Sequence, residues 1–333
     1  MMKPRQSLVL ERPNELHVRV VAHDPPGAGE VVVEPIFVGL CGTDLHIVQG
    51  KHPRAAMPLI LGHEIVGKVT AGRWAGRAVI VDPTITCGTC VACVRGYQNV
   101  CEHLRLLGID RDGGLSDSIT VAESKLHLVP ESLPLTSAAM VEPLSVAVHA
   151  AVRTGPYLGA RVVIMGAGPI GLLTALVVRA AGALSVVVVE PGERRRGAAE
   201  QLGFATTSTV DLLPETLRGE LADLVFDAAG APEVALSVTG LVRPRGSVVF
   251  EGVYGRPVPL DLQAVTFGEL NLVGTRVYTP MDIDTALALL AAGSVDVTSL
   301  VSEVVEFTGV PDALGRLERG ESLKVLVRCG GKD

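Results

Sequence analysis

The segment LCGTDLHIVQG, residues 40–50, places four chemically reactive side chains within six positions. They are the thiol of Cys41, the hydroxyl of Thr43, the carboxylate of Asp44 and the imidazole of His46. A thiolate can bind a metal ion, and a hydroxyl and an imidazole can carry a proton. A lone cysteine is more often a small buried apolar residue, so the chemistry of this segment depends on the partners that the rest of the chain supplies.

A second concentration of thiols occupies residues 87–101, with the sequence CGTCVACVRGYQNVC. Its spacing is C-x2-C-x2-C-x7-C, and the four residues are Cys87, Cys90, Cys93 and Cys101. In a reducing compartment such clustering indicates metal binding rather than disulfides. Four thiolates on one compact loop can close a tetrahedron around zinc and leave no open position. We therefore predict a structural zinc ion that folds this loop.

Candidate partners for Cys41 lie in two later segments. His63 and Glu64 stand side by side in LGHEIVG, 22 residues after Cys41, and Glu142 lies in the apolar segment VEPLSVAVHAA. A thiolate, an imidazole and a carboxylate make three protein ligands. A fourth position would then stay open for water or substrate, as a catalytic zinc ion requires.

A glycine-rich turn in VVIMGAGPIGLL is predicted to bind a dinucleotide, because it joins a predicted strand to a predicted helix. Its first glycine permits the tight turn, the second lets the backbone approach a pyrophosphate, and the third lets the helix pack closely on the sheet. The free N–H groups at the helix start would hold the phosphates. The residues assigned to this site are Gly166, Gly168, Pro169, Ile170 and Gly171.

Glu190 ends the next predicted strand, 19 residues after Gly171. A carboxylate there can accept hydrogen bonds from both ribose hydroxyls and would repel a 2′-phosphate, which favours NAD over NADP. The following arginines, Arg194–Arg196, leave an alternative open. One of them, for which we assign Arg195, could pair with a 2′-phosphate or lie flat over the adenine.

The elements that must position these residues fall into two classes. Residues 1 to about 130 contain short β-branched runs broken by glycine and proline, which predicts an irregular, mostly β region. From about residue 150, apolar strands alternate with helices, which predicts a parallel sheet with right-handed crossovers. The chain is thus expected to be an α/β protein that returns, after about residue 278, through two short helices and two strands.

Composition excludes several classes of protein. The 333 residues correspond to about two domains, and 48% hydrophobic with 20% charged residues is typical of a globular protein. The net charge of −7 argues against a general role on nucleic acid or on a membrane surface. The least charged run, residues 162–178, is shorter than the roughly 20 residues of a membrane span. The N-terminus lacks a long apolar segment, so we predict a cytoplasmic protein.

The chain resembles the zinc-dependent medium-chain dehydrogenases over essentially its whole length. The segments CGTDLHI and GHE, the four-cysteine loop and GAGPIG occur in that family's order. The resemblance implies a GroES-like, mostly β catalytic domain at residues 1–149 with a C-terminal return at 278–333. It also implies a Rossmann domain with a doubly wound parallel sheet at residues 150–277, and an active site in the cleft between the domains.

The resemblance also implies roles for the metal ligands. Cys41 and His63 match catalytic zinc ligands, and Glu64 matches the adjacent carboxylate that can enter and leave the metal shell. Glu142 matches the position of the third ligand. Whether Glu142 or Glu64 completes the shell stays open. Two zinc ions per chain are expected, one catalytic and one structural.

The first segment then gains an interpretation through the same resemblance. Thr43 matches the residue that receives the substrate's hydroxyl proton, and His46 matches the relay that passes it to solvent. Asp44 matches a carboxylate that accepts the other N–H of His63 and so determines its tautomer. An ordinary turn residue at Asp44 and an ordinary surface histidine at His46 are the alternatives.

The expected activity is oxidation of a secondary alcohol to a ketone by hydride transfer to NAD(P). EPLSVAVHA is similar to the sorbitol and polyol branch, which favours a polyol, vicinal diol or sugar alcohol. CGTDLHI is also similar to threonine and butanediol dehydrogenases, so an L-threonine 3-dehydrogenase is an alternative. A dehydrogenase of another hydroxy amino acid, a sugar acid or an aminocyclitol is a further possibility. A zinc- and nucleotide-binding protein without turnover is the alternative from another class. The family implies a homodimer or homotetramer.

Overall fold

The computed structural model describes residues 4–217 and 219–330 of the chain. The chain divides into two compact units. Unit 1 comprises Met1–Glu142, Thr279–Gly293 and Leu300–Asp333, and unit 2 comprises Pro143–Tyr278 and Ser294–Ser299. Unit 1 is therefore assembled from both ends of the chain, and unit 2 from its middle.

Strands and helices follow one another along the chain as the sequence pattern indicates. The strands are β1 (Arg5–Arg12), β2 (Glu15–Val21), β3 (Glu30–Leu40), β4 (Leu59–Ile60), β5 (Glu64–Val69), β6 (Ala78–Val81), β7 (Thr84–Ile85), β8 (Arg105–Leu106), β9 (Ile119–Ala122), β10 (Leu126–Leu128), β11 (Arg161–Met165), β12 (Ser185–Val189), β13 (Ala205–Thr207), β14 (Ala222–Asp227), β15 (Val242–Phe250), β16 (Asn271–Gly274), β17 (Val301–Val305) and β18 (Lys324–Arg328). The α-helices are α1 (Gly42–Val48), α2 (Val91–Val94), α3 (Leu135–Ala138), α4 (Val141–Val152), α5 (Pro169–Ala180), α6 (Glu193–Gln201), α7 (Leu213–Thr216), α8 (Pro232–Leu241), α9 (Leu262–Gly268), α10 (Pro280–Ala291) and α11 (Val310–Glu318). Among these described helices, none has the length and apolarity needed to cross a membrane.

Unit 1 is mostly β, as predicted. Its largest sheet has the strand order β10-β6-β5-β3-β18-β17, and β9 also pairs with β3. Strand β3 lies antiparallel to both β5 and β18. Gly39 of β3 is the register partner of Glu64, and Leu40 is the partner of Val325. The last strand of the chain therefore lies beside the end of β3, directly before Cys41.

Unit 2 is a parallel six-stranded sheet with the order β13-β12-β11-β14-β15-β16. The order reverses between β11 and β14, which is the switch point of a doubly wound fold. The inner strands are apolar on both faces because helices lie along the sheet. Val163, Val187, Val225 and Val248 are each at most 2% exposed. The predicted alternation of buried strands and helices is confirmed.

Candidate active site

Cys41, His63 and Glu64 converge in unit 1 although they come from different elements. Cys41 directly precedes α1, and Glu64 begins β5 immediately after His63. One ligand atom of each side chain lies within 4.8 Å of the other two. Cys41 is half-buried, whereas His63 and Glu64 are buried. A thiolate, an imidazole and a carboxylate at this separation fit a zinc ion, whose preferred donors are sulfur, nitrogen and oxygen.

Asp44 links the thiol-bearing turn to the histidine. Its Oδ2 accepts a hydrogen bond of 2.9 Å from the Cys41 backbone N–H, which braces the start of α1. Its Oδ1 lies 3.8 Å from His63 Nδ1, beyond hydrogen-bond distance. Both of these atoms are buried and have no other hydrogen-bond partner. The predicted hydrogen bond between Asp44 and His63 is therefore not formed in this structure, although the two atoms lie close together.

Thr43 and His46 lie three residues apart on α1 and so share one helix face. Thr43 Oγ1 lies 3.7 Å from Cys41 Sγ and is on a half-buried residue. His46 is exposed. A hydroxyl beside the thiol and an imidazole in solvent one turn later have the order that a proton path out of the site requires.

The structure adds Lys324, which sequence reasoning missed. Its ammonium group lies 2.6 and 2.7 Å from the two carboxylate oxygens of Glu64 and donates to the Leu40 carbonyl at 3.1 Å. Lys324 is 2% exposed and Glu64 is 1% exposed. Gly39 leaves room for this pair, because a Cβ at that position would lie 1.9 Å from Glu64 Oε2. A lysine among the apolar residues of LKVLVRC was the only signal in the sequence.

Negative groups around Cys41, His63 and Glu64 raise the pKa of the two basic side chains there, His63 and Lys324. Burial by itself lowers the pKa of His63, but the negative charge of Asp44 and a hydrogen bond with Cys41 outweigh burial and raise the pKa well above its ordinary value. Burial also lowers the pKa of Lys324, and the charges of Glu64 and Cys41 raise it above its ordinary value. Several negative groups therefore surround a place where a cation would be stabilised.

Glu142 lies next to this centre but is not one of the three converging ligands. It occupies the first turn of α4 and is 8% exposed. Its negative charge adds to those that raise the pKa of His63 and of Lys324. The sequence placed Glu142 in the catalytic site, and the structure brings it within electrostatic range of that site.

The four cysteines of the loop also converge, and their geometry fits zinc. Sγ of Cys101 lies 3.5 Å from that of Cys87, and the Cys87–Cys93 and Cys90–Cys101 sulfur pairs are both 3.9 Å apart. Four sulfurs about 2.3 Å from one zinc ion would be about 3.8 Å from each other in a tetrahedron. A disulfide would instead need about 2.05 Å. The four thiols are free and already have the spacing of a tetrahedral zinc site.

Backbone N–H groups prepare some of these thiols to ionise. The N–H groups of Thr89 and Cys90 lower the pKa of Cys87 to about 6, because they donate to its sulfur. Burial, together with the neighbouring thiols, raises the pKa of Cys93 to about 12. Four thiolates cannot coexist at this distance without a cation between them. A bound divalent ion would remove that conflict.

The glycine-rich turn of unit 2 has the close packing that a dinucleotide site requires. A Cβ at Gly171 would lie 2.0 Å from the Gly166 carbonyl oxygen, so the helix start can approach the strand only without a side chain. A Cβ at Gly168 would meet no atom within 4 Å, which leaves open space beside the helix N-terminus. Pro169 and Ile170 form the first turn of α5. These features fit a pyrophosphate at that N-terminus.

A cavity of about 440 Å³ adjoins the turn and brings most of the predicted cofactor residues together. Gly166, Gly168, Glu190 and Arg195 are among its lining residues. Glu190 accepts hydrogen bonds of 2.9 Å from the N–H groups of Ala167 and Gly192. Each carboxylate oxygen keeps a second lone pair, so the group retains acceptor capacity for ribose hydroxyls.

Comparison with known proteins gives matches to both parts of the chain. The family model Alcohol dehydrogenase GroES-like domain matches residues 27–131, and the model Zinc-binding dehydrogenase matches residues 169–292. A 2-dehydro-3-deoxy-L-galactonate 5-dehydrogenase of Pseudoalteromonas atlantica is 35% identical over 320 residues, covering 92% of this chain and 94% of that protein. A sorbitol dehydrogenase of Halalkalibacterium halodurans is 31% identical over 317 residues, covering 91% and 92% of the two chains.

Solved structures match the whole chain as well. The short chain alcohol dehydrogenase rspB of Escherichia coli, complexed with NADH, has a TM-score of 0.92 at 28% identity and covers 98% of this chain and 100% of that one. A zinc-binding dehydrogenase of Sinorhizobium meliloti, bound to NADP, has a TM-score of 0.91 at 31% identity and the same coverage. This fold therefore carries a nicotinamide cofactor in both similar proteins.

The buried pair of Glu64 and Lys324 leads to a prediction about stability. Lys324→Met leaves the Glu64 charge buried without compensation, which we expect to lower the free energy of unfolding by about 3–5 kcal/mol. Chemical denaturation at constant zinc concentration measures it. The double variant Glu64→Gln/Lys324→Met should regain part of the loss. Arg319→Met, which breaks an exposed pair, should lower the free energy of unfolding much less. An equal loss in the free energy of unfolding for Lys324→Met and Arg319→Met would contradict this account.

The four-cysteine loop leads to a prediction about metal content. Cys90→Ser removes one thiolate of the tetrahedron, so we expect one zinc ion fewer per chain and a lower melting temperature. Elemental analysis and thermal unfolding measure the two effects. Cys329→Ser is the matched control, because that thiol is buried among the strands and contacts Gly114. Full metal content in Cys90→Ser would show that the loop does not hold zinc.

Proposed function

The chain belongs to the medium-chain dehydrogenase/reductase family, and from that premise we propose that it oxidises a secondary alcohol to a ketone with NAD(P) at a zinc centre. The observation that carries this proposal is that the ligand atoms of Cys41 and His63 lie within 4.8 Å of each other and of the Glu64 carboxylate, with Glu142 within electrostatic range of His63. The glycine turn of unit 2 supports the cofactor part of the proposal. The function needs both features, and the chain has both.

Zinc held by these residues would supply a Lewis acid that lowers the pKa of an alcohol, and NAD(P) would supply the hydride acceptor. The protein's own residues would handle the proton. Thr43 would accept the proton of the substrate hydroxyl, since its Oγ1 lies beside Cys41. His46 would pass that proton to solvent, since it is exposed one turn further along α1. Asp44 would hold His63 through Nδ1 once the ring is drawn toward the metal.

Charge balance supports Glu142 rather than Glu64 as the third ligand. Both oxygens of Glu64 already contact Lys324, whose ammonium compensates the carboxylate. The thiolate of Cys41 and the carboxylate of Glu142 then supply two negative charges, which equal the charge of a zinc ion. Glu64 would act as the adjacent carboxylate that Lys324 holds in place.

A polyol or a sugar acid is the substrate class that the relatives support best. By their names, the similar dehydrogenase of Pseudoalteromonas atlantica acts on a sugar acid and that of Halalkalibacterium halodurans acts on sorbitol. Both substrates present a secondary hydroxyl with polar groups on either side. NAD is the proposed cofactor, because the Glu190 carboxylate would repel a 2′-phosphate. A homodimer or homotetramer stays a prediction.

A substrate panel tests this function. The protein would be incubated with NAD and with polyols, vicinal diols, aldonic acids or L-threonine, and reduction would be followed at 340 nm. We expect one class of secondary alcohol to be oxidised and primary alcohols of the same size to react slowly. Turnover of threonine alone would replace the polyol and sugar-acid proposal. No reduction with any alcohol would favour a binding protein without turnover.

The catalytic metal ligands lead to a prediction about activity. Cys41→Ser should abolish alcohol oxidation and leave the melting temperature and circular dichroism close to those of the wild type. Metal analysis should find the ion of the four-cysteine loop retained and the other ion lost. Full turnover of Cys41→Ser in buffer without added metal would refute the assignment of the catalytic zinc site.

The cofactor pocket leads to a prediction about selectivity. Glu190→Ser removes the carboxylate that would repel a 2′-phosphate, so kcat/KM for NADP relative to NAD should rise by about tenfold or more, equivalent to about 1.4 kcal/mol. Steady-state kinetics with both cofactors measures the ratio. Glu200→Ser, at an exposed carboxylate further along α6, should leave it unchanged. A wild-type enzyme that prefers NADP would contradict the role given to Glu190.

A further inference from the structure

Glu251 lies at the carboxyl edge of the unit 2 sheet, directly after β15. A dinucleotide in this fold crosses that edge with its pyrophosphate at the N-terminus of α5. Its adenosine half extends toward Glu190, which follows β12. Since β14 and β15 lie on the other side of β11, the nicotinamide half extends toward the end of β15. Glu251 therefore stands on the nicotinamide side of the cofactor site.

Only one of the two carboxyl oxygens of Glu251 takes part in a hydrogen bond. Its Oε1 accepts a hydrogen bond of 2.8 Å from the hydroxyl of Thr174, a fully buried residue of α5. Its Oε2 is buried and has no hydrogen-bond partner. The loop that carries Glu251 is tied to β14, because the N–H groups of Glu251 and Gly252 donate to the Asp227 carbonyl at 3.0 and 2.8 Å. The position of the unpaired oxygen is thus determined by the sheet.

The surroundings of Glu251 favour its neutral form. Burial and the negative charge of Asp227 together raise the pKa of Glu251 to about 8, although the hydrogen bond from Thr174 opposes them. Asp227 itself accepts a hydrogen bond from Tyr254 and from the N–H groups of Ala229 and Gly230. Tyr157, which lies before β11, is also within electrostatic range. Among the described residues, the charge that acts on Glu251 is the negative charge of Asp227.

A glutamate in this environment is an unfavourable choice for packing alone. A buried polar atom without a partner costs free energy, and an apolar side chain of similar size would avoid that cost. A positively charged ring beside the carboxyl group would change the balance, because it favours the carboxylate. The oxidised nicotinamide ring carries such a charge, and the reduced ring is neutral.

On the basis of the proposed function, we propose that Glu251 responds to the charge of the nicotinamide ring: its carboxyl group releases its proton when the oxidised nicotinamide binds and takes a proton back when the ring is reduced. Binding of NAD breaks the carboxyl O–H bond and one proton leaves to solvent. Hydride transfer neutralises the ring, and the carboxylate then takes up one proton from solvent. Glu251 thereby favours binding of the oxidised over the reduced cofactor.

This coupling gives a defined pH dependence. NAD binds the ionised form of Glu251 more tightly, so its affinity is low when both the free protein and the complex are protonated. The affinity rises with pH between the pKa of the complex and that of the free protein, near 8, and is constant above it. Each unit of difference between the two pKa values corresponds to about tenfold in affinity. The affinity for NADH should not rise over the same range.

The experiment compares the zinc-loaded wild type with Glu251→Gln, which keeps the shape and removes the titration. Dissociation constants for NAD by calorimetry and for NADH by fluorescence would be measured from pH 6 to pH 9. We expect the wild type to bind NAD about tenfold more tightly at the upper end of this pH range. We also expect NAD binding to release a proton, which calorimetry detects by comparing buffers of different ionisation enthalpy. Glu251→Gln should release fewer protons when NAD binds, and its NAD affinity should depend less on pH. Other titrating groups contribute equally to both proteins.

Two further variants separate this role from a structural one. Thr174→Val removes the hydrogen bond that lowers the pKa of Glu251, so the rise in NAD affinity should move to higher pH. Glu220→Gln, an exposed carboxylate of the same unit, should match the wild type. At pH 6 Glu251 is neutral, so wild type and Glu251→Gln should bind NADH alike, which also verifies folding.

Identical pH profiles for NAD binding in the wild type and Glu251→Gln would overturn the proposal for Glu251 and leave the dehydrogenase assignment intact. A wild type that binds neither NAD nor NADP would overturn both. Substrate oxidation is not needed for any of these readouts, so a wrong choice of alcohol cannot imitate either result.

Discussion

The buried ion pair of Glu64 and Lys324 is the constraint on which unit 1 depends. It joins residues that are 260 positions apart and places them on the strands that flank β3. Either charge alone would be strongly destabilising in this position, so each requires the other. Gly39 supplies the space, and the Leu40 carbonyl accepts a third contact from Lys324. The C-terminal strand β18 therefore helps to position the segments that carry Cys41 and His63.

Most of the unpaired buried polar atoms among the described residues lie at the sites proposed for ligands. Among the described residues, four buried side-chain atoms have no hydrogen-bond partner: Arg5 Nε, Asp44 Oδ1, His63 Nδ1 and Glu251 Oε2. Three of the four belong to the proposed metal centre or to the proposed cofactor edge. Folded chains satisfy most buried polar atoms, so such exceptions are expected where a bound group completes the arrangement. The two proposed sites thus contain three of the four unpaired buried atoms of the described residues.

Local sequence patterns were sufficient for the fold class and for much of the candidate sites. The four cysteines lie within 15 residues, and the glycine turn within six, so spacing alone carries their geometry. Cys41 and His63 are predicted as ligands through the family's order of motifs. Long-range partners left no such trace. Lys324 meets Glu64 only through the register of β18 on β3, and Thr174 meets Glu251 across 77 positions. A single lysine or glutamate in an apolar strand does not reveal its partner.

The two buried glutamates show how one residue type is given opposite tasks. Glu64 has an ammonium group against both oxygens, so its charge is compensated whether or not a ligand is present. Glu251 has a hydroxyl on one oxygen and an acid nearby, so its charge is compensated only when a cation arrives. A compensated carboxylate can position its neighbours, because its ion pair holds it in place. An uncompensated carboxylate responds to a change of charge beside it, and under the proposed function the nicotinamide ring undergoes such a change in every turnover.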